Sequence, residues 1–303
     1  MPASSTRSLV AALIANFGIA VTKFVIGGLT NSTVMVSEGI HSLVDTGNSG
    51  LMMFGRRASR RGPDADHPFG YGMELYFWSF VVAMVVFGGG GGLSIYEGFH
   101  ALREPRELTS PWPSLVVIGI AAVFEGGALM IGLREFRIYR RQYRYPRSLL
   151  EGIRASKNPA MFLTVLEDTA ALVGLGIATA GLLLRWCTGV AAFDGIASML
   201  IGVVLAVEAL VLAIECRGLI IGEPARPALV ETIERTVSAH AGDLVVRRVR
   251  TLQLGPESVL VFLDVQPSSV RDPAQLRDTI GRLLGELRRV TPGIRDVFVT
   301  AAR

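Results

Sequence analysis

The stretch Asn31–Arg56, NSTVMVSEGIHSLVDTGNSGLMMFGR, decides how the rest of the chain is read. It is mostly apolar and long enough to cross a bilayer as a helix. It nevertheless carries Glu38, His41, Asp45 and Asn48. At about 100° per residue these four fall within roughly 80° of arc, forming one polar stripe on an apolar rod. Ionisable groups at membrane depth are costly and face a partner or a water-filled cavity. His and Asp one turn apart also make a half-site for a divalent metal. The competing reading is a polar seam that only holds helices together.

Composition places the chain in a membrane. Of 303 residues 50% are hydrophobic and 18% charged, and the mean hydropathy is +0.45. That is too apolar for a soluble chain of this length. The net charge of +4 does not point to nucleic acid, because the basic residues cluster beside apolar runs, where topology explains them. Cys187 and Cys216 fall near opposite ends of consecutive predicted spans, too far apart to bridge.

Working outward, Ser8–Leu29 is predicted as a first span, with Asn16 and Lys23 on one face. It is longer than a signal-peptide core and no small-residue cleavage motif follows, so a retained helix is expected. Behind Asn31–Arg56 comes the turn-rich loop RRASRRGPDADHPFGYG, Arg56–Gly72, whose arginines mark it as cytoplasmic. A third span, about Glu74–His100, contains the consecutive glycines Gly88–Gly92, read as a site of close helix packing. The fourth, about Pro113–Leu133, holds Glu125 and runs into a basic segment with Arg134, Arg137, Arg140, Arg141, Arg144, Arg147, Arg154 and Lys157. The fifth, about Ala160–Leu184, carries Glu167 and Asp168. The sixth, about Phe193–Leu212, begins at Asp194 and carries Glu208. Basic second and fourth loops put both termini in the cytoplasm.

After Gly222-Glu223-Pro224 the composition turns soluble. Pro227–Ser238 reads as a helix with Leu229, Val230, Ile233 and Val237 on one side. Val245–Leu254 and Val259–Val265 read as strands of a hairpin turning at Gly255–Ser258. Asp272 caps a further helix with Leu276, Ile280, Leu283, Leu284 and Leu287 on its apolar face. Asp296–Thr300 is a last strand. The expected fold is therefore an α-helical membrane protein. Six transmembrane helices over 1–222 precede a C-terminal cytoplasmic α+β domain of ferredoxin-like type over 223–303.

In this order and spacing the chain resembles the cation diffusion facilitator, or cation efflux, family. The resemblance is carried by HSLVD at His41–Asp45, DADHPFGYG at Asp64–Gly72, Asp168, DGIAS at Asp194–Ser198 and the α-β-β-α-β tail. It implies a divalent cation efflux transporter that exchanges metal for protons by alternating access. The second and fifth helices hold the cation, typically zinc, and the tail serves a homodimer. No cofactor is implied, since the metal is cargo. His41 and Asp45 match the second-helix ligands and Asp168 matches one fifth-helix ligand. Where the family commonly has a second His, this chain has Thr164. The last ligand then falls to Thr164, to the adjacent Glu167 about 60° away on the helix, or to water. Such an oxygen-rich shell admits manganese, iron or cobalt as well as zinc. In the loop, Asp64 and His67 match a second metal position of some members, but Tyr71 replaces the further His. A capped turn anchoring the third helix is the competing reading there. His100 and His240 are expected to be surface or packing residues without ligand-type neighbours.

Other classes fare worse. A membrane-embedded metal hydrolase would need an open coordination position and a general base, and HExxH is absent. Gly-x-x-x-x-Gly-Lys-[Ser/Thr] is absent too, so no nucleotide drives the transport. A non-transporting partner subunit is the reading that the Thr164 departure keeps open. Only Lys23 and Lys157 are lysines among thirty basic residues. With no organelle presequence legible, that bias points to a GC-rich bacterial source and to its inner membrane.

Overall fold

The computed structural model describes residues 6–105, 110–143, 157–240, 244–267, 273–291 and 293–301. The expected cap Asp272 and the basic residues Arg144, Arg147 and Arg154 lie outside them. Two compact units form. The first is drawn from Met1–Arg56, Phe77–Phe136 and Ala160–Ile214; the second from Arg57–Tyr76, Arg137–Pro159 and Glu215–Arg303.

The predicted spans fall on helices, but the helices of the fourth and sixth run past the predicted Leu133 and Leu212 to Tyr143 and Ile221, and a π turn interrupts the third. The helices are α1 (Thr6–Thr30), α2 (Thr33–Ser59), α3 (Glu74–Val85), a π-helical turn Val86–Gly92, and α4 (Leu93–Arg103). Then come α5 (Trp112–Tyr143), α6 (Pro159–Thr188) and α7 (Ala192–Ile221). Among the described residues, four stretches are long and apolar enough to cross a membrane: Glu74–Arg103, Trp112–Ile138, Phe162–Thr188 and Ala192–Ile221. Among the described residues, α1 contributes the apolar stretch Asn16–Thr30. Helix α2 has the length, 27 residues, but its polar stripe dilutes its apolarity.

The turn into α2 is built from the Asn-Ser-Thr sequence. Asn31 adopts a left-handed φ of 55°, which asparagine tolerates. Ser32 Oγ accepts from the Met35 amide at 3.4 Å, as an N-cap serine does. Asp194 of α7 completes the cap. Its carboxylate accepts from the Thr33 amide at 2.6 Å and from Ser32 Oγ at 3.1 Å, with Arg185 Nη1 at 3.0 Å. An anion there complements the helix dipole. The DGIAS aspartate thereby fixes where α2 begins.

The glycine run does serve close packing, but only in part. A Cβ on Gly91 would stand 3.0 Å from the Gly202 carbonyl oxygen, and one on Gly98 2.5 Å from that of Gly195. At these two places α7 meets the Val86–Arg103 stretch backbone to backbone. Gly88, by contrast, has open space around its Cβ position. The run is wound as a π turn, an irregularity often found at functional sites.

In the second unit the C-terminal order is α8 (Pro227–His240), β1 (Leu244–Gly255), β2 (Ser258–Pro267), α9 (Pro273–Val290) and β3 (Ile294–Ala301). β1 and β2 form the expected antiparallel hairpin, and β3 pairs parallel to β2 with Val261 opposite Val297. Alternate residues of the central strand, Val259, Val261, Leu263 and Val265, are buried under Ile233 and Val237 of α8 and Leu283 and Leu287 of α9. The same unit gathers the α2–α3 loop. Gly72 lies so close to the Leu254 carbonyl that no Cβ could fit, and Phe69 meets Phe298 edge to face at 6.1 Å. Lys157 pairs with Glu223, and its carbonyl accepts from Tyr76 Oη at 3.2 Å.

Candidate metal-transport site

The polar stripe of α2 turns inward. Glu38 and Asn48 are fully buried, and His41 is 2% exposed. Neither ring nitrogen of His41 has a hydrogen-bond partner. Its Nε2 lies 3.5 Å from Asp45 Oδ2, close enough for an ion pair. On α6, Asp168 is buried with Oδ2 unpartnered. Glu167, beside it, accepts from Asn48 Nδ2 at 2.9 Å through Oε1, a bond that ties α6 to α2. Thr164 is exposed, and its methyl lies 4.0 Å from where a Cβ on Gly132 of α5 would stand.

Among the described residues no three His, Cys, Asp or Glu side chains converge closely enough to hold a metal ion. His41 and Asp45 are neighbours, Asp168 is buried on another helix, and the expected set is not closed in this conformation. What the bundle does supply is unspent lone pairs of ligand type, held away from water.

One partnership escapes a reading of spacing alone. Lys23 of α1, 1% exposed, donates to Glu38 Oε2 at 2.9 Å and to Ser42 Oγ at 2.8 Å. The first acid of the stripe is therefore neutralised by a lysine fifteen residues away. Glu38 Oε1 lies against Gly174 of α6, 2.9 Å from its Cβ position. An ionisable residue in mid-span was the available signal, but the pairing needed the α1–α2 turn.

The loop matches are built as a turn. Asp64 Oδ1 accepts from the His67 amide at 2.7 Å and the Asp66 amide at 3.1 Å, while Oδ2 accepts from Tyr71 Oη at 2.7 Å. The Tyr71 hydroxyl first, then the His67 amide, hold the Asp64 carboxyl below its ordinary range; the same bond raises Tyr71. The rings of His67 and Tyr71 lie 4.1 Å apart. A cation at Asp64 would share its carboxylate with the Tyr71 hydroxyl. His100 does have a ligand-type neighbour, contrary to expectation: Glu104 Oε2, one exposed turn on, is 3.6 Å away. His240 Nδ1 bonds the Thr236 carbonyl of its own helix at 3.0 Å. Cys187 and Cys216 are both free, as their positions required.

Long apolar helices that bury ionisable groups without partners define a multi-pass membrane protein. The particular family follows from comparison. Residues 9–221 match the cation efflux transmembrane domain, and the chain belongs to that cation efflux family. It is 32% identical over 222 residues to metal tolerance protein C4 of Arabidopsis thaliana, covering 72% of this chain and 47% of that one. It is 29% identical over 233 residues to the human proton-coupled zinc antiporter SLC30A9, mitochondrial, covering 77% and 41%. The manganese efflux system protein MneS of Bacillus subtilis is 24% identical over 176 residues, covering 56% and 54%. The chain thus spans less than half the length of the first two.

Proposed function

We propose that this chain exports a divalent cation, zinc or manganese, in exchange for protons. His41, Asp45 and Asp168 bind the ion between α2 and α6. The observation that carries the reading is the set of buried, unpartnered donors: both nitrogens of His41 and Oδ2 of Asp168. Buried polar groups are normally satisfied, and exceptions call for a functional reason. Imidazole and carboxylate ligate a metal only when deprotonated, so metal and protons compete for the same lone pairs. A cavity open to one side takes up the ion; opened to the other, it trades the ion for protons.

Relatives named as a zinc antiporter and a manganese efflux protein fit a donor set of one imidazole and several oxygens, which does not select sharply between these ions. Helices α1 and α2 make up six spans with the four apolar stretches, and both termini lie in the cytoplasm. The 223–303 segment is the cytoplasmic half of a homodimer. The Asp64–His67 loop acts first as a clasp within the second unit. A bacterial inner membrane is the proposed location.

Proteoliposomes holding equal amounts of protein test this. An imposed pH gradient should drive zinc or manganese flux in the wild type, and Asp45→Ala and Asp168→Ala should each abolish it. Near-normal flux in either variant would remove the proposed site.

A further inference from the structure

Glu208 lies midway along α7 and is 6% exposed. Neither of its carboxylate oxygens has a hydrogen-bond partner. Carboxylates near enough for their charges to act on it come from both helices that carry the proposed ligands: Asp45 on α2, and Asp168 and Glu167 on α6. A carboxylate buried without a donor or a cation is expensive, and an apolar side chain would serve packing better. On α6, the two alternatives sit in different surroundings. Glu167 is bonded to Asn48, and Thr164 is exposed beside Gly132.

We propose that Glu208 is a direct ligand of the transported cation, so that the ion is held from α2, α6 and α7 by His41, Asp45, Asp168 and Glu208. This rests on the reading of His41, Asp45 and Asp168 as the cation site. The donors stand apart in the conformation described, and the ion itself, with its double charge, draws them together. The resulting shell is one nitrogen and three carboxylates, a harder set than a two-histidine site. Glu208 thereby supplies a further carboxylate donor, and it biases the carrier towards manganese relative to zinc.

Equilibrium binding of Zn²⁺, Mn²⁺ and Co²⁺ to the purified full-length chain in detergent, by competition with a chromophoric chelator, tests this. The visible spectrum of bound Co²⁺ reports the ligand set. Loss of an outer-shell partner weakens metal sites ~10–100-fold, so loss of a ligand should reach at least that range. Glu208→Gln should weaken binding accordingly, Mn²⁺ more than Zn²⁺, and change the cobalt bands. Glu208→Asp, which keeps the carboxylate, should fall between, with a shifted cobalt spectrum. Asp45→Asn separates the two readings. If Asp45→Asn weakens binding while Glu208→Gln matches the wild type in affinity and spectrum, the Glu208 assignment alone is overturned. If neither variant weakens binding, the membrane cation site fails and takes this proposal with it. Weaker binding in Glu208→Gln with an unchanged cobalt spectrum would mean a packing role and would also overturn the assignment. Should Glu208→Gln not fold, Glu208→Asp decides: wild-type affinity and spectrum reject the ligand role.

Discussion

Removing one partner of the Lys23–Glu38 pair should destabilise the protein far more than removing both. The ammonium and carboxylate are 2.9 Å apart and 1% and 0% exposed. At an effective dielectric of about 20 their gross attraction is about 6 kcal/mol. Much of that is offset by desolvation, but Lys23→Met would leave the Glu38 carboxylate buried with no cation near it. Breaking such a pair costs about 3–5 kcal/mol. Glu38→Gln should cost somewhat less, because Ser42 Oγ still accepts from Lys23 at 2.8 Å. The double variant Lys23→Met/Glu38→Gln should recover most of the loss, ending within about 2 kcal/mol of wild type. Unfolding in detergent, followed by the fluorescence of Trp78, Trp112 and Trp186, gives the three stabilities for a double-mutant cycle. Additive single effects, with a coupling below about 0.5 kcal/mol, would refute the claim that this pair neutralises the stripe.

Gly98→Ala should destabilise by about 1–3 kcal/mol, since its Cβ would meet the Gly195 carbonyl at 2.5 Å and backbone cannot move aside as a side chain does; an unchanged melting temperature would contradict the packing. Tyr71→Phe should raise the Asp64 carboxyl towards its ordinary range, because the largest cause of its depression is the Tyr71 hydroxyl. The sign follows: Asp64 is depressed on folding, so its contribution to the loop is present above the unfolded value of about 3.9 and lost as pH falls through the folded one. A carboxyl-carbon NMR titration of both proteins would measure it, and identical midpoints would reject the bond. Single-cysteine labelling on a chain lacking Cys187 and Cys216 should find Arg60 and Arg137 positions reactive only from the cytoplasmic side. Labelling from outside would overturn the proposed topology.

Helix positions were legible because apolar runs and basic loops punctuate this chain plainly, and the C-terminal order followed from period-two and helical patterns. The hairpin turn at Gly255–Ser258 lies where its turn residues placed it. What spacing could not carry was partnership across helices. Lys23 reads as a lone cation on α1 until the Asn31 turn folds it against α2. Glu167 reads as a neighbour of Asp168, yet Asn48 holds it. Thr164 lies four residues before Asp168 and so suggests the same face. It nevertheless flanks Gly132 on α5, because helical spacing fixes a side chain's angle but not which neighbour occupies that angle. The π turn was equally illegible: a glycine run says that the backbone is free, not how it winds.

The buried acids of the first unit separate by what each is bonded to. Asp194 is bonded to Arg185, Ser32 and the Thr33 amide, and sets the start of α2. Glu38 is bonded to Lys23, and Glu167 to Asn48. These groups have partners of the kind that specify a fold. Among the described buried side chains of this unit, His41 at both nitrogens and Glu208 at both oxygens lack a hydrogen bond, and so do Asp168 at Oδ2, Glu38 at Oε1, Asn48 at Oδ1 and the hydroxyls of Ser37 and Ser94. A bundle that satisfies Asp194 with three donors does not leave the others bare for want of donors. In an apolar medium each unsatisfied group costs several kcal/mol, and at His41, Asp168 and Glu208 a partner that comes and goes would offset that penalty. A carrier needs such groups. A permanent hydrogen bond at Asp168 or Glu208 would have to be broken at every turnover, whereas a bare carboxylate meets only the cation or the proton that replaces it.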